Sequence, residues 1–248
     1  MIPRLAIVCG SFLCVCQLLQ CVPAAAAEPA ADAGTPLFDG ESLDGWRQHS
    51  GDARYSIEDG AIVGTSVPDT GNSFLCTTRE YADFIFTCEF KVDNGLNSGV
   101  QFRSQVFDDP IEIELGDGKT RRVPADRVHG YQCEIDCGDN PGRMWTAGVY
   151  DEARRGWLYP GPKGGDGEAF TAQGIRIVNR DGWNTFRIDC RGDSIKTYVN
   201  GELRADFEDD MTTNGVIALQ VHGVGNNPDR VGKQVRWRNL RIRELVER

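Results

Sequence analysis

Phe84-Ile-Phe-Thr-Cys-Glu-Phe-Lys-Val92 decides the fold class. Phe84, Phe86, Cys88, Phe90 and Val92 fall on one side, while Thr87, Glu89 and Lys91 fall on the other. Successive side chains of a strand point to opposite faces, so this two-residue period marks a half-buried β-strand. Outward from it the same period recurs. Phe186, Ile188 and Cys190 repeat it, and Ile195 to Val199 runs into Asn200-Gly201, a strong hairpin-turn signal. Asp59-Gly60 marks a similar turn between Tyr55-Ser-Ile57 and Ala61-Ile-Val63. No window carries an amphipathic helix of about 12 residues or more. Many short antiparallel strands predict an all-β sandwich or jelly roll of two antiparallel sheets.

Three strands differ from the rest because their second face is rich in amides and ionisable groups. Val100 and Phe102 alternate with Gln101, Arg103 and Gln105. Tyr131, Cys133 and Ile135 alternate with Gln132, Glu134 and Asp136, and Leu219 and Val221 alternate with Gln220 and His222. If the three share a sheet, these side chains form one polar surface suited to a polyhydroxylated ligand. Trp145, Tyr150, Trp157 and Tyr159 are the stacking candidates. An ordinary solvated sheet face would carry the same pattern.

The chain has 248 residues, 27 of them Lys or Arg and 37 Asp or Glu, for a net charge of -10. A nucleic-acid binder that works through the phosphate backbone needs a positive surface, so that class is excluded. Met1-Ile-Pro-Arg4 followed by an apolar run from Leu5 to Val22 and by Ala25-Ala26-Ala27 predicts a signal peptide over residues 1–27. The expected mature protein is exported, periplasmic or extracellular, with no membrane span left after cleavage. Lipoprotein anchoring at Cys21 is disfavoured, because Leu18-Leu19-Gln20 lacks the small residue such processing prefers. Residues 28–35 are expected to be disordered, and one domain is expected over 36–246. The turn-rich stretch 108–127 is a candidate insertion, either a lid or a decoration. Cleavage would leave Cys76, Cys88, Cys133, Cys137 and Cys190, an odd number with no zinc spacing. Buried thiols are the favoured reading, and disulfide pairing among them is not assignable.

A series of short motifs then appears in order. Leu37-Phe-Asp-Gly-Glu-Ser-Leu-Asp-Gly-Trp46, Ile57-Glu-Asp-Gly60 and Asn97-Ser-Gly-Val-Gln-Phe-Arg103 come first. Gly130-Tyr-Gln-Cys-Glu-Ile-Asp136, Gly148-Val-Tyr-Asp-Glu152 and Trp183-Asn-Thr-Phe186 with Asn200-Gly201 follow. Gly215-Val-Ile-Ala-Leu-Gln-Val-His-Gly223 and Arg238-Asn-Leu-Arg-Ile242 close the series. Together they resemble the 3-keto-disaccharide hydrolase family, also described as 3-keto-glucoside 1,2-lyase/3-keto-2-hydroxy-glucal hydratase domains. The resemblance implies a concanavalin A-like jelly roll acting on glycosides oxidised at C3, with a sugar 3-oxidoreductase upstream. Much of that family reads Gly-Tyr-Glu-x-Gln where this chain has Gly130-Tyr-Gln-Cys-Glu134, so acid and amide are exchanged.

A C3 ketone acidifies the C2 hydrogen, so such a site needs a base, an enolate stabiliser and an acid for the leaving oxygen. His222 is the first base candidate, since an unperturbed imidazole titrates at about 6.5. Glu134 is the second base or acid candidate. Arg103 is the candidate stabiliser of the enolate, and Tyr150 or Glu152 the leaving-group acid. Asn97, Gln101, Gln132, Gln220, Arg155 and Trp157 are the candidate sugar-binding residues. The metal question stays open: a divalent cation would polarise the carbonyl, but no aspartate-rich calcium loop is present. A non-catalytic carbohydrate-binding module on the same sandwich is the alternative.

Overall fold

The structure, a computed structural model, describes residues 34–116, 118–136 and 142–245. The expected signal peptide, most of the 28–35 segment and Cys137 lie outside the described residues. In chain order the strands are β1 (Thr35–Pro36), β2 (Trp46–Ser50), β3 (Arg54–Glu58), β4 (Ala61–Thr65), β5 (Ser73–Thr77) and β6 (Phe84–Val92). Next come β7 (Ser98–Gln105), β8 (Ile111–Gly116), β9 (Lys119–Val123), β10 (His129–Ile135), β11 (Val149–Glu152) and β12 (Gly156–Tyr159). After the helix α1 (Gly167–Ile177) follow β13 (Asn184–Arg191), β14 (Ser194–Val199), β15 (Glu202–Glu208), β16 (Val216–Val221) and β17 (Gln234–Glu244).

Two antiparallel sheets stack face to face. One runs β15-β14-β13-β6-β17-β4-β3, with β1 on β17; the other runs β12-β11-β10-β7-β16-β5-β2. β6 sits mid-sheet with Phe84, Phe86 and Phe90 fully buried, as its alternation requires. The core between the sheets joins these to Val100, Phe102, Tyr131, Cys133 and Leu219 of the second sheet. Phe90 meets Phe186 at 4.3 Å between ring centroids, and Phe102 stacks on Tyr131 at 5.5 Å. The two predicted hairpin turns form with both central residues at positive φ: Asp59 at 51° and Gly60 at 72°, then Asn200 at 52° and Gly201 at 84°. That is the turn whose twist matches paired strands.

The 11-residue helix α1 is shorter than the window on which helical periodicity is legible. Asp166 caps it by accepting from the Ala169 N–H at 2.8 Å, and Phe170 and Gly174 are its buried face. Cys76, Cys88, Cys133 and Cys190 are free and buried, so no disulfide joins them.

The 108–127 stretch forms a separate β8–β9 ribbon that joins neither main sheet. The strap returning from it crosses the outer face of the second sheet. Asp126 accepts from Ser50 N at 2.9 Å and contacts His49 Nδ1 at 2.6 Å, both on the terminal strand β2. Val128 of the strap closes a small second core with Phe74, Cys76, Val216 and Ala218, against which Val106 packs. One end of that outer face is therefore roofed. The other end is open.

Candidate active site

β7, β10 and β16 are neighbours, so their polar faces do combine. At the open end of that face lies a pocket of about 260 Å³, lined by Asn72, Asn97, Gln132, Glu134, Arg143, Tyr150, Glu152, Trp157, Gln220 and His222. Its walls meet across a curved sheet. The Asn72 amide donates to Glu152 at 3.5 Å, although Asn72 precedes β5 and Glu152 ends β11. Four strand spacings of about 4.8 Å would hold them roughly 19 Å apart in a flat sheet.

Glu134 is buried at the pocket floor, 4% exposed, and takes N–H donors from both Asn97 and Gln132, the latter at 2.6 Å. Burial raises its carboxyl to about 7, with the Asp136 charge adding to the rise and the two amide donors and Arg143 opposing it. Glu152 is also pushed up by burial, opposed by the Arg127 and His222 charges. Arg127 of the strap is its direct ion-pair partner. Tyr150 is raised by burial and by the Glu152 and Glu134 charges.

His222 follows β16 and places its Nδ1 2.7 Å from the Gly223 carbonyl. A carbonyl only accepts, so Nδ1 carries the proton, and in the neutral tautomer the ring's lone pair sits on Nε2. Gln220 is fully buried with neither amide atom bonded inside the protein. Buried polar groups nearly always find partners, so this pocket-lining amide keeps donors and an acceptor that no protein group uses. Trp157 packs edge-on to Trp145 at 4.7 Å and to Tyr150 at 5.3 Å, forming an aromatic wall. Arg143 lies over both tryptophans and donates Nε–H to Asp136 at 2.6 Å.

Three expected site residues lie elsewhere. Arg103 adopts φ 46°, at a point where β7 shifts register against both β10 and β16. Such a bulge changes which face the following side chain takes. The guanidinium is fully buried and binds the Ala82 carbonyl at 2.8 Å, the Gly192 carbonyl at 2.7 Å and Asp83 at 2.8 Å. It is thus a tie to the other sheet. Arg155 is engaged with Asp151 at 2.5 Å and Asp209 at 2.9 Å. Gln101 lies behind Gln132, fully buried, and bonds to it rather than to the pocket. Conversely, Asn72 and Arg143 were not anticipated. Both sit in loops, where alternation gives no signal; only Trp145, two residues on, hinted at Arg143.

Among the described residues no group of three or more His, Cys, Asp and Glu side chains is placed to hold a metal. No helix among them is long and apolar enough to cross a membrane.

Comparisons with known proteins follow the same line. A candidate glycosyl hydrolase from Parabacteroides distasonis superposes with a TM-score of 0.55 at 21% identity, covering 90% of this chain and 99% of that one. A Bacillus subtilis protein of unknown function with a galectin-like fold gives 0.55 at 12% identity, over 83% of this chain and 92% of the other. These likenesses establish the concanavalin A-like jelly roll. A 3-keto-disaccharide hydrolase from Bacteroides thetaiotaomicron is 31% identical over 83 residues, 30% of this chain and 29% of that protein. The chain thus spans under a third of that relative's length. Residues 33–243 match the 3-keto-alpha-glucoside-1,2-lyase-like domain, essentially the whole sandwich, and the chain belongs to that family.

Proposed function

We propose that the protein is an exported enzyme that cleaves 3-keto-glycosides by elimination and rehydration. The observation that carries this is one polar pocket holding an imidazole with a free Nε2, a carboxyl poised near neutrality and an unbonded buried amide. His222 Nε2 takes the C2 proton, which the C3 ketone has acidified, and Arg143 faces the enolate charge that forms. The C1–O bond breaks as protonated Glu134 gives its proton to the leaving oxygen. Water then adds across the resulting double bond. Its oxygen bonds to C1, its proton returns to Glu134, and the imidazolium returns a proton to C2. Both groups end as they began, and the net change is hydrolysis. Asn97, Gln132 and Gln220 bind hydroxyls while Trp157 and Tyr150 pack against the ring. An ordinary glycosidase instead needs two carboxylates flanking the bond. A sugar 3-oxidoreductase has to supply the ketone.

The test is a 3-keto-glucoside offered to the protein, with release of the leaving group and enone absorbance followed, and the unoxidised glucoside as control. Only the keto sugar should turn over, and His222→Ala and Glu134→Gln should each lose about 10²–10⁴-fold in kcat. Similar cleavage of both sugars would overturn elimination. Binding without turnover would make the chain a carbohydrate-binding module.

A further inference from the structure

Behind Glu134 runs a continuous chain of hydrogen bonds. The Gln132 amide donates to Glu134 at 2.6 Å, Gln101 donates to the Gln132 oxygen at 2.6 Å, and Ser104 Oγ donates to the Gln101 oxygen at 2.7 Å. Gln101 and Ser104 are fully buried, so water does not share these bonds. The chain has a direction, with every N–H or O–H aimed toward the next oxygen and the last amide N–H presented to a carboxylate. That direction suits ionised Glu134, and protonated Glu134 only while its proton faces the pocket. A proton on the inner oxygen, held there while no substrate oxygen is in place to take it, needs an acceptor, which the Gln132 amide supplies after a half-turn of its terminal group, since amide O and NH₂ are nearly the same size. Gln132 would then donate to the Gln101 oxygen, Gln101 would turn likewise, and its NH₂ would donate to Ser104 Oγ. The hydroxyl proton then needs another acceptor. Ser104 has two: the Tyr131 carbonyl at 3.1 Å and the Phe102 carbonyl at 3.3 Å.

We propose that Ser104, Gln101 and Gln132 form a reversible relay whose direction follows the protonation state of Glu134, with Gln101 and Ser104 as positioning residues. One proton binds to or leaves Glu134, two amides rotate, one hydroxyl swings, and no charge travels along the chain. Each state of Glu134 keeps a complete set of partners, so neither is trapped by an unmet bond. Gln132 is closely packed, since a Cβ on Gly99 would stand 2.5 Å from its side chain. The inference rests on the proposed reaction for its purpose, because only an alternating acid and base needs both states.

The test separates the two. In protein labelled with ¹³C and ¹⁵N, the Glu134 carboxyl and the side-chain amides of Gln132 and Gln101 are titrated by NMR between pH 5 and 9. All three should move with one midpoint near 7, and Gln101 should stop moving in Glu134→Gln. Gln101 signals that stay fixed while Glu134 titrates, or that still move in Glu134→Gln, would overturn the relay. Gln101→Met, which keeps the volume, should lower kcat about tenfold with KM within about twofold, the mark of a lost transition-state interaction. Coupled titration without keto-glycoside turnover would sink the reaction and leave the relay. Turnover with a fixed Gln101 would do the reverse.

Discussion

Glu134 sets the character of the pocket, and its environment has a measurable cost. Its folded value of about 7 lies above that of an unfolded carboxyl. Ionisation therefore opposes folding: the penalty is absent below about pH 4.3, grows through the interval and is complete above 7, reaching about 4 kcal/mol. Glu134→Gln should accordingly stabilise the protein at pH 8 and bring no gain at pH 4, as urea unfolding at the two values would measure. Under the proposed reaction catalysis should run the other way, with kcat/KM, which reports the free enzyme's groups, declining above a midpoint near 7 as the acid form is lost, as a pH–rate profile reads. How far single residues were legible follows from where they sit. Glu134, Gln132, Gln220 and His222 announced themselves by alternation on regular strand. Arg103 misled because its positive φ breaks the parity on which alternation depends, and the bulge leaves no mark in the residue types around it. Asn72 and Arg143 reach the pocket from loops, where position follows from the fold and not from a local period.

Strand identity and pairing were the most legible level. β6 with its five inward residues, and the Asp59-Gly60 and Asn200-Gly201 turns, required only local chemistry. The order β11-β10-β7-β16-β5 did not follow, because antiparallel neighbours far apart in sequence share no local signal. Two connecting elements have distinct duties. The β8–β9 ribbon pairs only with itself, so replacing residues 111–122 by a short Gly-Ser turn should shift the melting temperature by less than about 3 °C. The loop after β11 is anchored instead. Arg155, Lys163 and Tyr131 all bond to Asp209, whose side chain is 1% exposed. Burial alone would raise Asp209, yet these partners outweigh it and hold the carboxyl well below its ordinary range. That stabilisation is present above the unfolded value and is lost as pH falls toward the folded one. Asp209→Asn should therefore cost about 3 kcal/mol at pH 7, with the gap closing below about pH 4 in equilibrium unfolding.

Over the whole molecule the two faces of the second sheet carry different work: the inner face builds the core with the other sheet, and the outer face holds the pocket. Cys88, Cys133 and Cys190 lie in the core between the sheets and Cys76 in the small outer core, with no disulfide among them. Burial pushes Cys76, Cys88, Cys133 and Cys190 up, so a maleimide should leave all four unlabelled until the chain unfolds, as mass spectrometry would count. The strap that seats Val128 over Phe74, Cys76, Val216 and Ala218 has a kinetic consequence. Among the described residues it turns what would be a thoroughfare along the sheet into a cul-de-sac closed at the strap's end. Under the proposed reaction, traffic through the open end is exclusive: the freed sugar would have to leave before the next glycoside enters, so each released product would hold up the queue in proportion to its own affinity for the site.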